Sequence, residues 1–263
     1  MQAYIIFLFF IFGAIIGSFL NVVILRFHTG RSVGGRSICF LCGKQLRARE
    51  LIPIFSFLIQ KGKCTTCRSP ISKQYPIVET VTGILFALSA YHFIYMLCIN
   101  VSMFMFLSLY FYLLFSILVS IVTYDIRHKI IQNEFVYSFI FVSIIGLFLP
   151  TGMNSIHFAW YDIFAGVLIA LPFAGLWLVS KGRWMGLGDP KLMIGMGTVL
   201  GFSQGIVAVT ISFWIAALFG IALIVFKKAH RTTEVPFAPF LAIGFAIAVF
   251  CSISPIGLFT LFS

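Results

Sequence analysis

Long apolar runs separated by short polar loops set the pattern of this chain. A helix needs roughly 20 residues to cross the hydrocarbon core of a bilayer, and several of the runs reach that length. Because every backbone polar group must be paired inside lipid, the runs predict helices, and the alternating pattern of membrane β-strands is absent. The runs lie at about 3–25, 80–99, 101–124, 134–150, 163–180, 192–226 and 237–262.

The run at 192–226 is long enough for two spans. It is interrupted from Gly201 to Gly205 by the turn-prone sequence Gly-Phe-Ser-Gln-Gly, so we expect a break there and a short first helix. The C-terminal run at 237–262 forms one span or two. The pattern therefore predicts an all-α polytopic membrane protein with seven or eight transmembrane helices.

Composition supports this class, since 61% of the residues are hydrophobic, 10% are charged and the mean hydropathy is +1.09. No basic residue precedes the first run and Arg26 follows it directly, so we expect an uncleaved helix with its N-terminus outside. Residue 100 and the loop 150–162 carry no Lys or Arg, which places them outside as well. The positive-inside rule places four basic segments in the cytoplasm: 26–78, the Asp125 loop, the Asp189 loop and 227–236.

The net charge of +11 is mostly this orientation signal. Basic residues at the inner surface also attract anionic membrane lipid, and no other feature points to nucleic acid. No pattern in the chain indicates an oligomeric state.

The chain divides into three predicted parts. Residues 1–25 form the first transmembrane helix, 26–78 form a small cytoplasmic domain, and 79–263 form the remaining membrane part. In the first helix Gly13, Gly17 and Asn21 recur every four residues, which favours close helix packing with a polar cross-link over a catalytic role. Glu79 is either a residue of the first helical turn or faces a polar cavity at the inner surface.

The cytoplasmic segment carries two C-x2-C pairs, Cys39 with Cys42 and Cys64 with Cys67. Two residues between thiolates let both sulfurs face one ion, so the four cysteines predict a structural zinc site in a zinc-ribbon-like domain. Disulfides and a redox motif are the alternatives, and both fit a reducing compartment less well. A domain this small would draw folding energy from the metal.

Two of the three aspartates, Asp125 and Asp189, lie where apolar runs end in basic loops. Both are predicted at the inner interface, whereas Asp162 falls in an outer loop with no catalytic role. Two adjacent carboxylates that share one proton can activate a water and polarise a carbonyl, which is the chemistry of aspartic proteolysis. Gly186 and Gly188 would let a substrate backbone approach Asp189.

Simpler roles for these two acids stay open from the pattern alone. Asp189 precedes Pro190 as an N-cap would, and Asp125 could pair with Arg127 or Lys129 as a solvated residue. No other nucleophile pattern competes, because no G-x-S-x-G or H-E-x-x-H motif occurs and the five histidines are scattered.

The chain resembles a known family in seven motifs that occur in order. That family is the type IV prepilin leader peptidases, membrane aspartic proteases that share a G-x-G-D motif with the presenilin and signal-peptide-peptidase group. Pro190 is a modest variation, since the family commonly has Phe or an Ile-like residue there. The motifs are Gly17-Ser18-Phe19-Leu20-Asn21-Val22, the paired cysteines, Glu50-Leu51-Ile52-Pro53, Tyr75-Pro76-Ile77-Val78-Glu79, Tyr124-Asp125, Gly186-Leu187-Gly188-Asp189-Pro190-Lys191-Leu192 and Val235-Pro236-Phe237-Ala238-Pro239-Phe240-Leu241.

The resemblance implies a bifunctional, multi-pass enzyme of the bacterial inner membrane with its active site facing the cytoplasm. Such enzymes cut the basic leader from type IV prepilins or type II secretion pseudopilins, then methylate the new N-terminal amine with S-adenosylmethionine. The resemblance makes Asp125 and Asp189 the protease pair, makes 79–263 the aspartic protease domain, and associates methyl transfer with the cysteine domain.

Two other classes of function are compatible with the residues. An ion-coupled transporter with a regulatory zinc domain would hold its acids at the bilayer midplane and repeat its hydropathy pattern in two halves, and neither feature is evident. A membrane scaffold that docks a partner through its zinc domain would use both aspartates only as helix caps.

Overall fold

The computed structural model describes residues 2–27, 29, 32, 34–148, 164–226 and 235–251. Asp162 and the outer loop, most of the loop 227–236 and the end of the C-terminal run lie outside these residues.

The described chain is helical, and its only extended pairing consists of two isolated bridges, Ile38 with Gln45 and Lys63 with Pro70. The all-α prediction is therefore confirmed for these residues. A short 3₁₀ helix, Ala48–Leu51, precedes the second α-helix. The α-helices are α1 (Gln2–Arg26), α2 (Phe55–Ile59), α3 (Gln74–Ile99), α4 (Val101–His128), α5 (Asn133–Gly146), α6 (Ala165–Ser180), α7 (Gly188–Val225) and α8 (Ala238–Cys251).

Four of these helices, α1, α3, α4 and α7, are long and apolar enough to cross a membrane. The apolar helices α5, α6 and α8 are shorter, with 14, 16 and 14 residues. These lengths agree with a membrane protein.

Helix α7 breaks where the sequence predicts a turn. Gly201 has φ 73° and ψ 176°, a backbone conformation that is essentially restricted to glycine. The break divides α7 into segments 188–200 and 202–225, so the prediction of a short first helix is confirmed.

The chain forms two compact units, Met1–Ser120 and Ile121–Ser263. In the first, α1 packs closely on α3, because a Cβ at Gly17 would lie 2.8 Å from the Cα of Glu79. Asn21 is fully buried, and its side-chain amide donates to the carbonyls of Gly17 and Tyr75 at 3.2 and 3.3 Å. The structure thus supports the packing role of this small and polar face.

In the second unit α7 packs against α5, α6 and α8. The contacts with α5 and α6 are so close that a Cβ at Gly195 would meet the Phe139 ring at 2.5 Å and one at Gly197 would meet the Gly166 Cα at 2.7 Å. Small residues let membrane helices approach backbone to backbone in this way. Three neighbours therefore hold α7, whose first turn carries Asp189.

Candidate active site and metal site

Asp125 lies in the last turn of α4, and only 4% of its surface is exposed. Its Oδ2 atom accepts a hydrogen bond of 3.2 Å from the backbone N–H of Ala238, the first residue of α8. Among the described residues it forms no ion pair with Arg127 or Lys129, which are both exposed. The carboxylate is directed inward to the start of α8, so the solvated ion pair is not the arrangement found.

Asp189 lies in the first turn of α7 and is 8% exposed. The N-cap of α7 is Leu187, so Asp189 is inside the helix and does not cap it. Its Oδ1 atom is buried and has no hydrogen-bond partner among the described groups. A buried carboxylate oxygen without a partner is costly, and sites of function are where such groups are found.

The structure brings the two acids together within one unit, close enough for Asp125 to act electrostatically on Asp189. In the described part of the chain no cation pairs with either acid, and Asp189 Oδ1 has no hydrogen-bond partner there. Such a pair can hold a water and a carbonyl between its carboxyl groups.

Three side chains on α5 and the preceding loop support this arrangement. The Lys191 ammonium donates to Asn133 Oδ1 at 2.8 Å and to the Tyr137 hydroxyl at 3.3 Å, which fixes the first turn of α7 against α5. The Gln132 amide donates to the hydroxyl of Tyr124, the neighbour of Asp125, at 3.0 Å. Tyr124 and Lys191 lie in the sequence motifs around the two acids, and this position is the feature of the sequence that points to these hydrogen bonds.

The two glycines before Asp189 have different surroundings. A Cβ at Gly188 would lie 2.6 Å from the Ile131 Cβ, so this position must be glycine for α7 to pack on the loop before α5. A Cβ at Gly186 would meet nothing closer than Asp189 Oδ2 at 3.8 Å, so the space beside it is open. Only Gly186 leaves room for an approaching backbone.

All four paired cysteines come together, with their sulfur atoms within 4.8 Å of one another. The sulfurs of Cys39 and Cys67 are 3.8 Å apart, far beyond a disulfide bond and equal to the edge of a tetrahedron with metal–sulfur bonds of about 2.3 Å. The four residues fit a zinc ion, with Cys39, Cys42, Cys64 and Cys67 as its ligands.

Local backbone turns shape each half of the cysteine cluster. Gly43 and Arg68 have φ angles of 69° and 55°, and each follows the second cysteine of its pair. The backbone N–H groups of Cys42 and Leu41 lower the pKa of the Cys39 thiol to about 6. A thiol so stabilised as thiolate is ready to bind a metal.

Glu50, the only acid in residues 26–78, joins the two halves. Its Oε1 atom accepts from Lys44 in the first turn at 3.0 Å and from Thr65 in the second at 2.5 Å, while Oε2 accepts from the Arg47 N–H at 2.7 Å. The Arg47 N–H, the Thr65 hydroxyl and the Lys44 ammonium hold the pKa of this carboxyl at about 2. Glu50 therefore fixes the geometry around the metal ligands.

Glu79 is the sixth residue of α3, so of its two alternatives the first-turn position is not the one found. The helix begins at Gln74, before the apolar run, and the Gln74 amide donates to the Asn21 side-chain oxygen at 3.3 Å. The buried Glu79 carboxylate accepts from the Ile54 N–H at 2.7 Å and from the Ser18 hydroxyl. It ties the cysteine domain to α1 and α3.

Two protein families match this chain. The bacterial peptidase A24 N-terminal domain matches residues 11–93, which include the cysteine cluster, and the type IV leader peptidase family matches residues 112–221, which include both aspartates. The second match also covers the kink of α7.

Curated relatives match nearly the whole chain. A protein of Bacillus subtilis named prepilin leader peptidase/N-methyltransferase is 33% identical over 91% of this chain and 91% of its own length. Proteins of the same name from Stutzerimonas stutzeri and Pseudomonas aeruginosa are 29% and 28% identical, over 91% and 90% of this chain and 88% and 87% of their own lengths. No solved structure matches the chain significantly.

Proposed function

This chain belongs to the type IV leader peptidase family, and we propose that it removes the leader peptide of type IV prepilins or type II secretion pseudopilins with Asp125 and Asp189 as its catalytic pair. The enzyme is a prepilin leader peptidase with N-methyltransferase activity, as its relatives are named over about nine tenths of the chain.

One observation supports the catalytic pair above others. The two buried acids come from different helices, Asp125 acts electrostatically on Asp189, and Asp189 retains an oxygen that no described protein group satisfies. A carboxylate with only a structural role at the depth of the membrane would have its oxygens hydrogen-bonded to donors, as the Glu79 carboxylate is to the Ile54 N–H.

The proposed chemistry needs only the two carboxyl groups and a water. One carboxylate removes a proton from the water, whose oxygen forms a bond to the scissile carbonyl carbon, while the other carboxyl group donates its proton to the carbonyl oxygen. When the tetrahedral intermediate collapses, the C–N bond breaks and the amine leaves with a proton from the first acid. The second carboxylate takes back a proton from one hydroxyl of the intermediate, which becomes the carbonyl of the new carboxyl group. The Ala238 N–H holds the Asp125 carboxylate in place throughout.

The cleavage point of the proposed substrate and the two acids of the enzyme lie at the same depth in the membrane. A prepilin presents an apolar helix in the membrane with its cleavage point at the inner interface, where α4 ends and α7 begins. We place the enzyme in the bacterial inner membrane with seven or eight spans and the two acids facing the cytoplasm, because Arg127 and Lys129 follow Asp125 and Lys181, Arg183 and Lys191 surround Asp189. The eight apolar segments are α1, α3, α4, α5, α6, the two halves of α7, and α8.

The cysteine domain would hold a structural zinc ion in its four thiolates and draw folding energy from it. S-adenosylmethionine is the proposed methyl donor for the new N-terminal amine. The described residues offer no glycine-rich turn between a strand and a helix, so we assign none of them to the donor.

The transporter alternative has no support from the relatives, whose names describe a peptidase and methyltransferase. The scaffold alternative required both aspartates to cap helices, whereas Asp189 lies inside α7.

Mass spectrometry of a prepilin coexpressed with this enzyme tests the proposed function. We expect the leader to be lost and one methyl group to be added to the new N-terminus. A prepilin that keeps its leader in the presence of folded enzyme would contradict the proposal.

A further inference from the structure

The short helix α2 in the cysteine domain exposes an apolar face. Phe55, Leu58 and Ile59 are spaced i, i+3 and i+4 on one side of the helix and are 64%, 63% and 77% exposed. Leu51 and Ile52, one turn earlier in the chain, are 40% and 47% exposed. Five exposed apolar side chains within nine residues of the chain indicate an interaction surface.

A hydrogen bond places the beginning of α2 beside a membrane helix. The N–H of Ile54, directly before α2, donates to Glu79, five residues into α3 and so about 7 Å along its axis. At 26 residues α3 is about 39 Å long, whereas the hydrocarbon core is about 30 Å thick. The level of Glu79 is therefore near the inner edge of the hydrocarbon, and α2 starts at that level.

Charge around α2 matches the inner surface of a membrane. The exposed Lys61 and Lys63 follow the helix directly, and Arg49 is exposed just before it. Residues 26–78 carry ten Lys and Arg against the single acid Glu50. Apolar side chains on one face with cations beside them are typical of helices that lie in the interface of anionic bilayers.

We propose that α2 lies in the inner membrane interface, with Phe55, Leu58 and Ile59 inserted among the acyl chains of anionic phospholipid. The lipid contact and the Ile54–Glu79 hydrogen bond together hold the zinc domain flat against the membrane at the side where prepilin leaders emerge. This inference depends on the orientation of α3 in the membrane and is independent of the peptidase reaction.

Photo-cross-linking to lipid tests this placement with the intact, zinc-loaded protein. The wild-type enzyme is reconstituted into anionic vesicles that contain a phospholipid with a diazirine in its acyl chain, illuminated and mapped by mass spectrometry. We expect adducts on the peptide that contains residues 55–59. Adducts on α1 and α3 are expected as well, and these show that the membrane-spanning helices have inserted into the vesicles.

Leu41 provides a matched reference, because this zinc-domain side chain has the same 77% exposure as Ile59. We expect fewer adducts at Leu41 than at Phe55, Leu58 and Ile59. Equal or lower labelling of α2 than of Leu41, in vesicles where α1 and α3 are labelled, would overturn the proposal. A photoreactive residue at position 58 that cross-links to added prepilin and not to lipid would also overturn it, since the face would then bind protein.

Discussion

At the residue scale, Asp189 differs from Asp125, Glu50 and Glu79 in how its oxygens are satisfied among the described residues. Glu79 and Glu50 accept bonds from backbone N–H groups and hydroxyls that fix loops and helices. Asp125 likewise accepts from the Ala238 N–H, whereas Asp189 has no partner at Oδ1 among the residues that the structure describes. The unsatisfied oxygen therefore distinguishes Asp189 from the three acids whose oxygens have hydrogen-bond donors.

Gly188→Ala should impair cleavage, because its Cβ would be forced against Ile131 and would move the first turn of α7 together with Asp189. The expected cost is about 1–3 kcal/mol of stability, with a lower cleavage rate. Gly186→Ala is the matched control for stability, since its Cβ meets nothing closer than 3.8 Å. Thermal unfolding in detergent compares the stability of the two variants, and cleavage of purified prepilin measures the activity of Gly188→Ala. Equal unfolding temperatures of the two variants would contradict the packing role of Gly188.

Glu50→Gln should loosen the zinc site by about 1–2 kcal/mol, because the charged acceptor that joins Lys44, Arg47 and Thr65 is lost. Zinc release to a chromogenic chelator should then be roughly 5–30 times faster. Thr66→Val, on an exposed neighbour of Thr65, should release zinc at the wild-type rate.

The pH dependence of this effect follows from the lowered pKa of Glu50. A carboxyl with a folded-state pKa of about 2 contributes its full stability above its ordinary pKa near 4.5 and loses it as the pH falls toward 2. The difference between Glu50→Gln and wild type should therefore stay constant from about pH 8 to pH 6. A difference that disappears within that range would contradict the assigned role.

At the element scale, α7 organises the second unit through its glycines. The kink at Gly201 redirects the helix, and Gly195 and Gly197 let α5 and α6 approach its first segment. That segment carries Asp189 at its start, so the packing of the whole helix determines where the acid lies.

Gly201→Ala should destabilise the protein by about 1–3 kcal/mol, because alanine does not tolerate φ 73° with ψ 176°. Gly220→Ala, in the second segment of the same helix, places its Cβ in open space and should be neutral or stabilising by up to about 1 kcal/mol. Unfolding temperatures in one detergent compare the two. Equal stability of both variants would show that the kink does not depend on glycine.

At the scale of the whole molecule, hydropathy, the position of glycines and the spacing of cysteines predicted most of the architecture of the described residues. The apolar runs, the break at Gly201 and the four-cysteine cluster all appear in the structure, because each depends on local pattern. The alternatives for Glu79 and Asp125 could not be decided from the sequence, since the Ile54 N–H lies 25 residues from Glu79 and the Ala238 N–H lies 113 residues from Asp125. Partners so distant in sequence leave no periodic signal.

The central claim is that Asp125 and Asp189 together cleave the leader. The most direct measurement is the cleavage rate of purified prepilin by Asp125→Asn and Asp189→Asn enzymes in vesicles, beside Glu134→Gln and Asp162→Asn as controls of the same chemistry. Each amide keeps the size of its acid and removes its proton transfer, so we predict that both variants at positions 125 and 189 lose cleavage while the two controls cleave at the wild-type rate. Wild-type cleavage by either Asp125→Asn or Asp189→Asn would contradict the account.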